Sequence, residues 1–444
     1  MKSAQYHWGA VDLRWIAGFV LLFLVGTGIA YRQAPFLMPD EGAHYLRAYE
    51  VSHLHLFNFR GAVGVDIPCN EYLLAAQKYN PIPFVQQKAV EGRADPLCRV
   101  RTVKPAGAYS FVPYIPAAMA LFLVEKLNWE VEDRLVAART ANFAVWFSAL
   151  FCGLLMIDKG RMLMACFILM PSFFWQLIAL SANGATLSSC LLYVFLVLHI
   201  AQQGKNITPK LLFALVSIAA LIGASKGVYA LVSLLSFALW DRLPGKGHLH
   251  KLVALSAPAV AALLTYAVLT AIADPALVYI GAGADPGLQA ALLIENPLSI
   301  LELTFRAISD TDVMRLVSPT YAIPNAGRAF GIMSLSVLSM AVLILYSDFG
   351  VNKRFRLVAG LVSLILFVSF CLPIYLTYTP VGYKNIVGLQ GRYYLPAIPF
   401  IFIAIAFNSS EFNWAQFFAR LRRNSEWIVT ISMLGLIVAY TNIP

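Results

Sequence analysis

"FVPYIPAAMALFLV", residues 111–124, is the stretch that decides how this chain is arranged. It is apolar throughout, yet only 14 residues long, and Pro113 and Pro116 interrupt its start. A helix that crosses the hydrocarbon core of a bilayer needs about 20 residues. If 111–124 stays at the interface, the apolar runs 15–31, 135–157, 162–180, 185–201, 207–224, 227–240, 252–273, 329–346, 357–378, 393–407 and 427–443 alternate across a membrane from an internal N-terminus. The connections "DKGR", "QQGKNITPK", "DRLPGKGHLHK", "SDFGVNKRFR" and "NSSEFNWAQFFARLRRNSE" then all fall on the cytoplasmic side, and each carries at least two Lys or Arg. If 111–124 crossed, all five would face outward, against the bias of positive charge to the inside. The expectation is therefore an all-α integral membrane protein of about 11 transmembrane helices, with interfacial helices in the first and a later external loop.

Composition agrees with this class. The 444 residues are 59% hydrophobic and 13% charged, with a mean hydropathy of +0.70. A soluble chain of this length would show charged helix faces. The first run, 15–31, lacks a small-residue cleavage site before Arg32 and reads as a retained helix. Much of the net charge of +10 sits in the cytoplasmic connections, where it orients the chain against anionic lipid and gives no support to a nucleic-acid partner. No Gly-rich phosphate loop, internal repeat or nucleotide-binding domain stands out. We read residues 1–444 as a single polytopic domain with two long external subregions, 32–134 and 275–328, and short external turns at 181–184, 225–226 and 379–392.

Of six cysteines, Cys152, Cys166, Cys190 and Cys371 lie in expected spans and act as small apolar fillers. Cys69 and Cys98 share the first external segment, which shows no apolar core of its own, and a disulfide between them suits an oxidising compartment.

The same segment opens with "FLMPDEGAHYLRAY", 36–49, the densest group of ionisable residues beside a span. Pro39 suits a first helical turn, and Asp40 and Glu41 suit its positive end. Asp40, His44, Arg47 and Val51 then share one face, while Met38, Tyr45, Tyr49 and Leu56 offer apolar contacts for a helix lying on the membrane surface. Such a helix with solvated charges is the plain structural reading. Other unusual polar residues fall on the same expected side: Asn183 in "SANGA", Lys226 in "ASKGVY", and Tyr383, Lys384, Gln390 and Arg392 in "VGYKNIVGLQGRYYLP". Taken singly, Asn183 reads as a helix cap, Lys226 as a cation reaching to the interface and Arg392 as an interfacial anchor. Together, a carboxylate and cations at one membrane depth suit the transfer of a sugar from a lipid phosphate: the cations hold the leaving phosphate and the carboxylate takes a proton from the attacking hydroxyl.

The stretches "MPDEGAHYLRAYEVS", "ALSANGATLSSCLLYV", "ASKGVYALVSLL" and "GLQGRYYLPAIPF" resemble, in order, those of a bacterial membrane-protein family catalogued as domain of unknown function 2142, over about residues 15–408. That family in turn looks like a branch of the GT-C glycosyltransferases, which use polyprenyl-phosphate sugars. The resemblance implies a catalytic base at Asp40 or Glu41, and "KPAGAYSFVPYIP" at 104–116 is similar to an external segment of several members. The chain departs from the family at Asn183, where aspartate is usual, so the resemblance leaves dependence on a divalent cation open and assigns no metal ligands. "SDTD" at 309–312 reads as an interfacial helix face rather than a metal site.

The expected function is thus a GT-C-type glycosyltransferase of a bacterial inner membrane, with its site facing the periplasm or exterior. It would carry a sugar from a polyprenyl-phosphate donor in the membrane lipid to a cell-surface or lipid-linked glycan acceptor. Asp40 would be the base and Glu41 the second choice, with Lys226 and Arg392 on the phosphate and His44 and Arg47 positioning substrates. Two rivals are a flippase of lipid-linked saccharides, which would need cations along a continuous path, and a non-enzymatic subunit of a glycan-assembly complex, which would not need the carboxylate.

Overall fold

The computed structural model describes residues 13–33, 35–36, 40–58, 65–69, 86–88, 97–100, 106–243, 245, 247–275, 280–310 and 348–406. Five described helices are long and apolar enough to cross a membrane: α1 (Leu13–Arg32), α4 (Val131–Met156), α7 (Ala182–Gln203), α9 (His248–Ile272) and α12 (Lys353–Tyr378). They coincide with the expected spans 15–31, 135–157, 185–201, 252–273 and 357–378. The expected span 162–180 is instead a broken pair, α5 (Arg161–Ile168) and α6 (Pro171–Ile178), bent by 64°. Pro171 accounts for the break, because it cannot donate to the preceding turn. Expected spans 207–224, 227–240 and 393–407 fall on shorter elements. These are α8 (Pro209–Ser225), a 3-10 helix (Gly227–Arg242), and a 3-10 turn (Gly391–Ala397) that runs into α13 (Ile398–Ile405). Spans 329–346 and 427–443 lie outside the described residues, as do the last two residues of "SDTD".

Residues 111–124 form a 3-10 turn, Val112–Tyr114, followed by α3, Ile115–Lys126. At 1.5 Å per residue, the 12 residues of α3 reach about 18 Å, well short of a bilayer core.

The helices run between two ends. At one end the 157–161, 202–208, 241–248 and 348–356 segments are tied together. Lys159 pairs with Asp348 at 2.8 Å and Arg354 with Asp241 at 3.2 Å. Arg242 donates to the carbonyls of Ala201 and Gly204, and the Gln202 amide donates to the carbonyls of Lys159 and Phe349. At the other end lie the C-termini of α1, α6, α8, α9 and α12 and the N-termini of α2 (Glu41–Ser52) and α7. Four of the five segments expected on one side of a membrane from loop charge alone are therefore brought to one end by contacts within the chain, and the fifth, around 408–426, lies outside the described residues. At the centre is α7, with 89% of its apolar stretch buried against 17–44% in the other four long helices. Those four turn the rest of their apolar surface outward, as lipid-facing helices do.

Segment 32–134 departs from the expected arrangement in two ways. It contains a three-stranded antiparallel sheet in the order β1 (Val65–Pro68), β3 (Leu97–Val100), β2 (Gln86–Lys88), so the protein is not purely helical. It also has a core of its own, in which Phe36, Tyr45, Leu46, Ile67, Tyr114 and Leu121 pack with the Cys69–Cys98 disulfide. Helix α2, Glu41–Ser52, is buried along its whole length and does not lie on a surface with solvated charges. Aromatic and aliphatic residues alternate with polar ones on α2 because it is enclosed by protein on every side, and its polar groups are paired internally. The later segment holds α10 (Pro286–Glu295) and a second helix with both buried and outward-facing apolar residues. In α11 (Ser299–Asp310), Leu303 and Ala307 are buried, while Leu301, Phe305 and Ile308 point outward beside an exposed Glu302–Arg306 pair.

Candidate functional site

Chain entry into α2 sets the site. Asp40 is the N-cap residue, held in the left-handed region at φ 65°, which is costly for a residue with a side chain. Its backbone carbonyl accepts from the His44 N–H, but its carboxylate makes no capping bond. That carboxylate instead turns to Arg392, 3.4 Å away, and stays 34% exposed. Glu41, one residue on, has the opposite fate. It is fully buried, and its two oxygens take the fork of Arg139 from α4 at 2.8 and 2.6 Å. A two-pronged guanidinium–carboxylate contact of this kind is the strongest geometry available to the pair.

On the other side of the site stands Lys226, the residue between α8 and the 3-10 helix. Its ammonium donates to Asn183 Oδ1 at 2.5 Å and lies over the rings of Tyr109 and Tyr393, 5.1 and 5.6 Å from their centres. Asn183 does not cap α7; Ser181 does, accepting from the Asn183 N–H. The Asn183 side chain is thereby released to bridge Lys226 and Gln176, its amide donating to Gln176 Oε1 at 2.9 Å. The next residue has to be glycine: a Cβ on Gly184 would sit 2.9 Å from the Gln176 backbone oxygen. Arg392 carries its guanidinium beside the Tyr393 ring, and its buried Nε has no hydrogen-bond partner.

His44 completes the group. Its Nδ1 shares a 2.6 Å hydrogen bond with the Tyr114 hydroxyl, and its ring stacks on Tyr109. Burial pushes the imidazole down to about 3, with Lys226 and Arg392 adding to the effect and Asp40 opposing it. It is a neutral hydrogen-bonding group across the physiological range. Burial also pulls Lys226 down to about 7, helped by Arg392 and opposed by Asp40. The Tyr109 hydroxyl is pushed up, first by burial and then by Tyr393.

Of the residues singled out in the sequence, Asp40, His44, Asn183, Lys226 and Arg392 thus meet in one cluster, drawn from α2, the α6–α7 break, the α8 end and the turn after α12. Gln390 is the residue that starts the Arg392 turn. Tyr383 and Lys384 are exposed and make no hydrogen bond or ion pair with the cluster. Arg47 faces away from it. Its guanidinium pairs with Glu50 at 2.9 Å and donates to the carbonyls of His55 and Leu56, bracing the end of α2. Cys69 and Cys98 are joined beneath α2 and touch no group of the cluster directly. Among the described residues no three His, Cys, Asp or Glu side chains gather as a metal site.

Sequence reading missed Tyr109, Tyr114, Gln176, Tyr393 and Arg139. Arg139 carried a signal: it is the sole charged residue within the expected span 135–157, and an ionisable group inside a span marks a structural or functional partner. The tyrosines carried none, since aromatic residues are common at membrane interfaces.

Long apolar helices that end at a shared polar cluster define a polytopic membrane protein. A family described as "Predicted membrane protein (DUF2142)" matches residues 23–401, and the chain belongs to that family. No curated protein and no solved structure matches the chain.

Proposed function

We propose that this protein is a glycosyltransferase that moves a sugar from a polyprenyl-phosphate donor to a glycan acceptor at the external face of a bacterial inner membrane. The observation that carries the reading is the convergence of one part-exposed carboxylate, Asp40, with two cations from remote elements, Lys226 and Arg392. In this reading the acceptor hydroxyl oxygen forms its bond to the sugar anomeric carbon as the bond from that carbon to the phosphate oxygen breaks. Asp40 takes the hydroxyl proton, and the departing phosphate keeps the electron pair and is held by Lys226 and Arg392. Besides its place beside Tyr393, Arg392 makes a long, part-exposed contact with Asp40, which is a weak interaction that an anion can replace. His44, neutral and fixed by Tyr114, serves as a hydrogen-bonding wall.

The topology that goes with this reading has eleven spans and the Asp40 end outside. Its support is that the basic segments around Lys159, Arg242 and Arg354 gather at the opposite end, where the inside rule would put them. The test is transfer of a labelled sugar by the purified protein in liposomes, from a pool of polyprenyl-phosphate sugars to lipid-linked glycans. Transfer that is lost in Arg392→Ala and Lys226→Ala supports the reading. Binding of the donor with no transfer to any acceptor, and loss of lipid-linked glycan from one leaflet only in cells without the gene, would instead indicate a flippase.

A further inference from the structure

The buried pair Glu41–Arg139 does more than neutralise two charges. Arg139 holds both oxygens of Glu41 and, with a third nitrogen, donates to the carbonyls of Ala30 and Gln33 at 3.3 and 2.9 Å. Glu41 Oε1 also accepts from the Leu180 N–H at 3.3 Å. The last turn of α1, the first residue of α2, the middle of α4 and the break between α6 and α7 therefore meet at a single ion pair. Asp40 immediately precedes Glu41, and Asn183, which holds Lys226, follows Leu180 by three residues. The pair is thus joined to Asp40 through the adjacent peptide and, through Leu180, to the backbone that leads into Asn183.

We propose that Glu41 and Arg139 are positioning residues, which fix Asp40 in its left-handed conformation facing Arg392 and fix the Asn183–Lys226 bond at a set distance from it. Stability alone is a poor account of the pair, because a buried ion pair usually contributes little compared with apolar residues of the same volume. Its reach is a better one. Neither group touches the open side of the cluster, and both are fully buried. Asp40 sits in a backbone region that a residue with a side chain leaves readily unless its neighbours hold it. The bond from Arg139 to Glu41 pins the residue on one side of Asp40, and the bonds to Ala30 and Gln33 pin the helix from which the chain arrives.

The inference depends on reading the cluster as one site, but its test needs neither donor nor acceptor. The probe is acetic anhydride, applied briefly over a range of pH to the full-length protein in detergent. Mass spectrometry of the peptide containing Lys226 then gives the pH midpoint of its modification. With the pair intact, Asp40→Asn removes a charge that favours the Lys226 ammonium, so the midpoint falls by at least half a pH unit. In Glu41→Gln/Arg139→Gln, which removes both charges together, Asp40 is no longer held and the added Asp40→Asn change moves the midpoint by less than a quarter of that. An equal Asp40→Asn shift in both backgrounds, with both proteins monodisperse and carrying the Cys69–Cys98 disulfide, would overturn the proposal. If the double variant does not fold, Arg139→Lys, which keeps the charge but not the fork, is read in the same way: a reduced shift supports positioning and a full shift excludes it. Absence of sugar transfer by the unaltered protein would count against the proposed function and leave this readout intact.

Discussion

Two regions built from neighbouring residues illustrate how differently one chain can use acidic and basic groups. In the buried region, Glu41 and Arg139 are fully enclosed and matched donor to acceptor. In the open region, one residue earlier, Asp40 and Arg392 meet through a 3.4 Å contact, the Asp40 side chain stays 34% exposed, and Lys226 stands nearby. Matching and enclosure make the first region chemically silent. Exposure leaves the second with a carboxylate that can be reached beside two cations, which is the condition for binding an anion and accepting a proton. The lesson is that charge density in a sequence does not identify a site; which of the charges stays accessible does.

The sharpest way to break the comparison is Asp40→Asn. It preserves shape and removes the charge, so sugar transfer should fall by about 10²–10⁴-fold while the thermal midpoint in detergent stays within a few degrees. Full activity in this variant would end the catalytic reading of the open region. Next in size is Arg139→Met, which strands the Glu41 carboxylate in the protein interior. It should cost about 3–5 kcal/mol of stability, read as loss of folded, monodisperse protein on heating. A mild effect there would mean that Glu41 finds water or another donor.

A third prediction concerns pH. Only the protonated Lys226 attracts an anion, and its value of about 7 places the loss near neutrality. The affinity for a dialkyl phosphodiester, whose own charge is constant in this range, should fall by up to about tenfold per pH unit above 7. Stability should move the other way. Folding lowers the Lys226 value from 10.5 to about 7, so the unfolded chain binds the proton more tightly and the penalty is full below 7. It fades as pH rises from 7 to 10.5, and Lys226→Met should raise the thermal midpoint most in acidic and neutral buffer. The smallest effect belongs to Tyr383→Ala and Lys384→Ala, which should change transfer less than about twofold, as is usual for exposed groups outside a site. A large loss in either would extend the open region across the 379–388 turn.

The long helices were legible because runs such as 185–201 and 357–378 are apolar for the length a bilayer demands, and because loop charge ordered them. That 111–124 holds a helix too short for a bilayer core was legible from its length and its prolines. The bend at Pro171 was not read, since a break that still keeps its apolar composition leaves hydropathy unchanged. Nor was the sheet in 32–134: its strands are only three or four residues long, too short for alternation to show. At the site, Lys226 and Arg392 were legible as basic residues where loop charge disfavours them, and Asp40 as part of the ionisable cluster beside the first span. The separate fates of Asp40 and Glu41 were not, because adjacent carboxylates look alike until the backbone at Asp40 turns left-handed. Taken singly, Asn183 suits a cap as well as a site, and nothing in "SANGA" shows that Ser181, two residues earlier, holds the cap position instead.

The Gln202 side chain has a different kind of consequence. Its amide donates to Lys159 O and Phe349 O, while its oxygen accepts from the Asp158 N–H, and the Phe349 ring is fully buried where any side chain at Gly160 would stand. The residues that lead into α12 are thus tied to the 157–161 and 202–208 segments by contacts that do not depend on the peptide linkage between residues 310 and 348. A gene cut in that interval and expressed as two polypeptides would be expected to reassemble, with Phe349 acting as the plug and Gln202 as the latch. Such fragment complementation would let each part be exchanged between family members independently, so that Arg392 could be varied apart from Asp40 and Lys226.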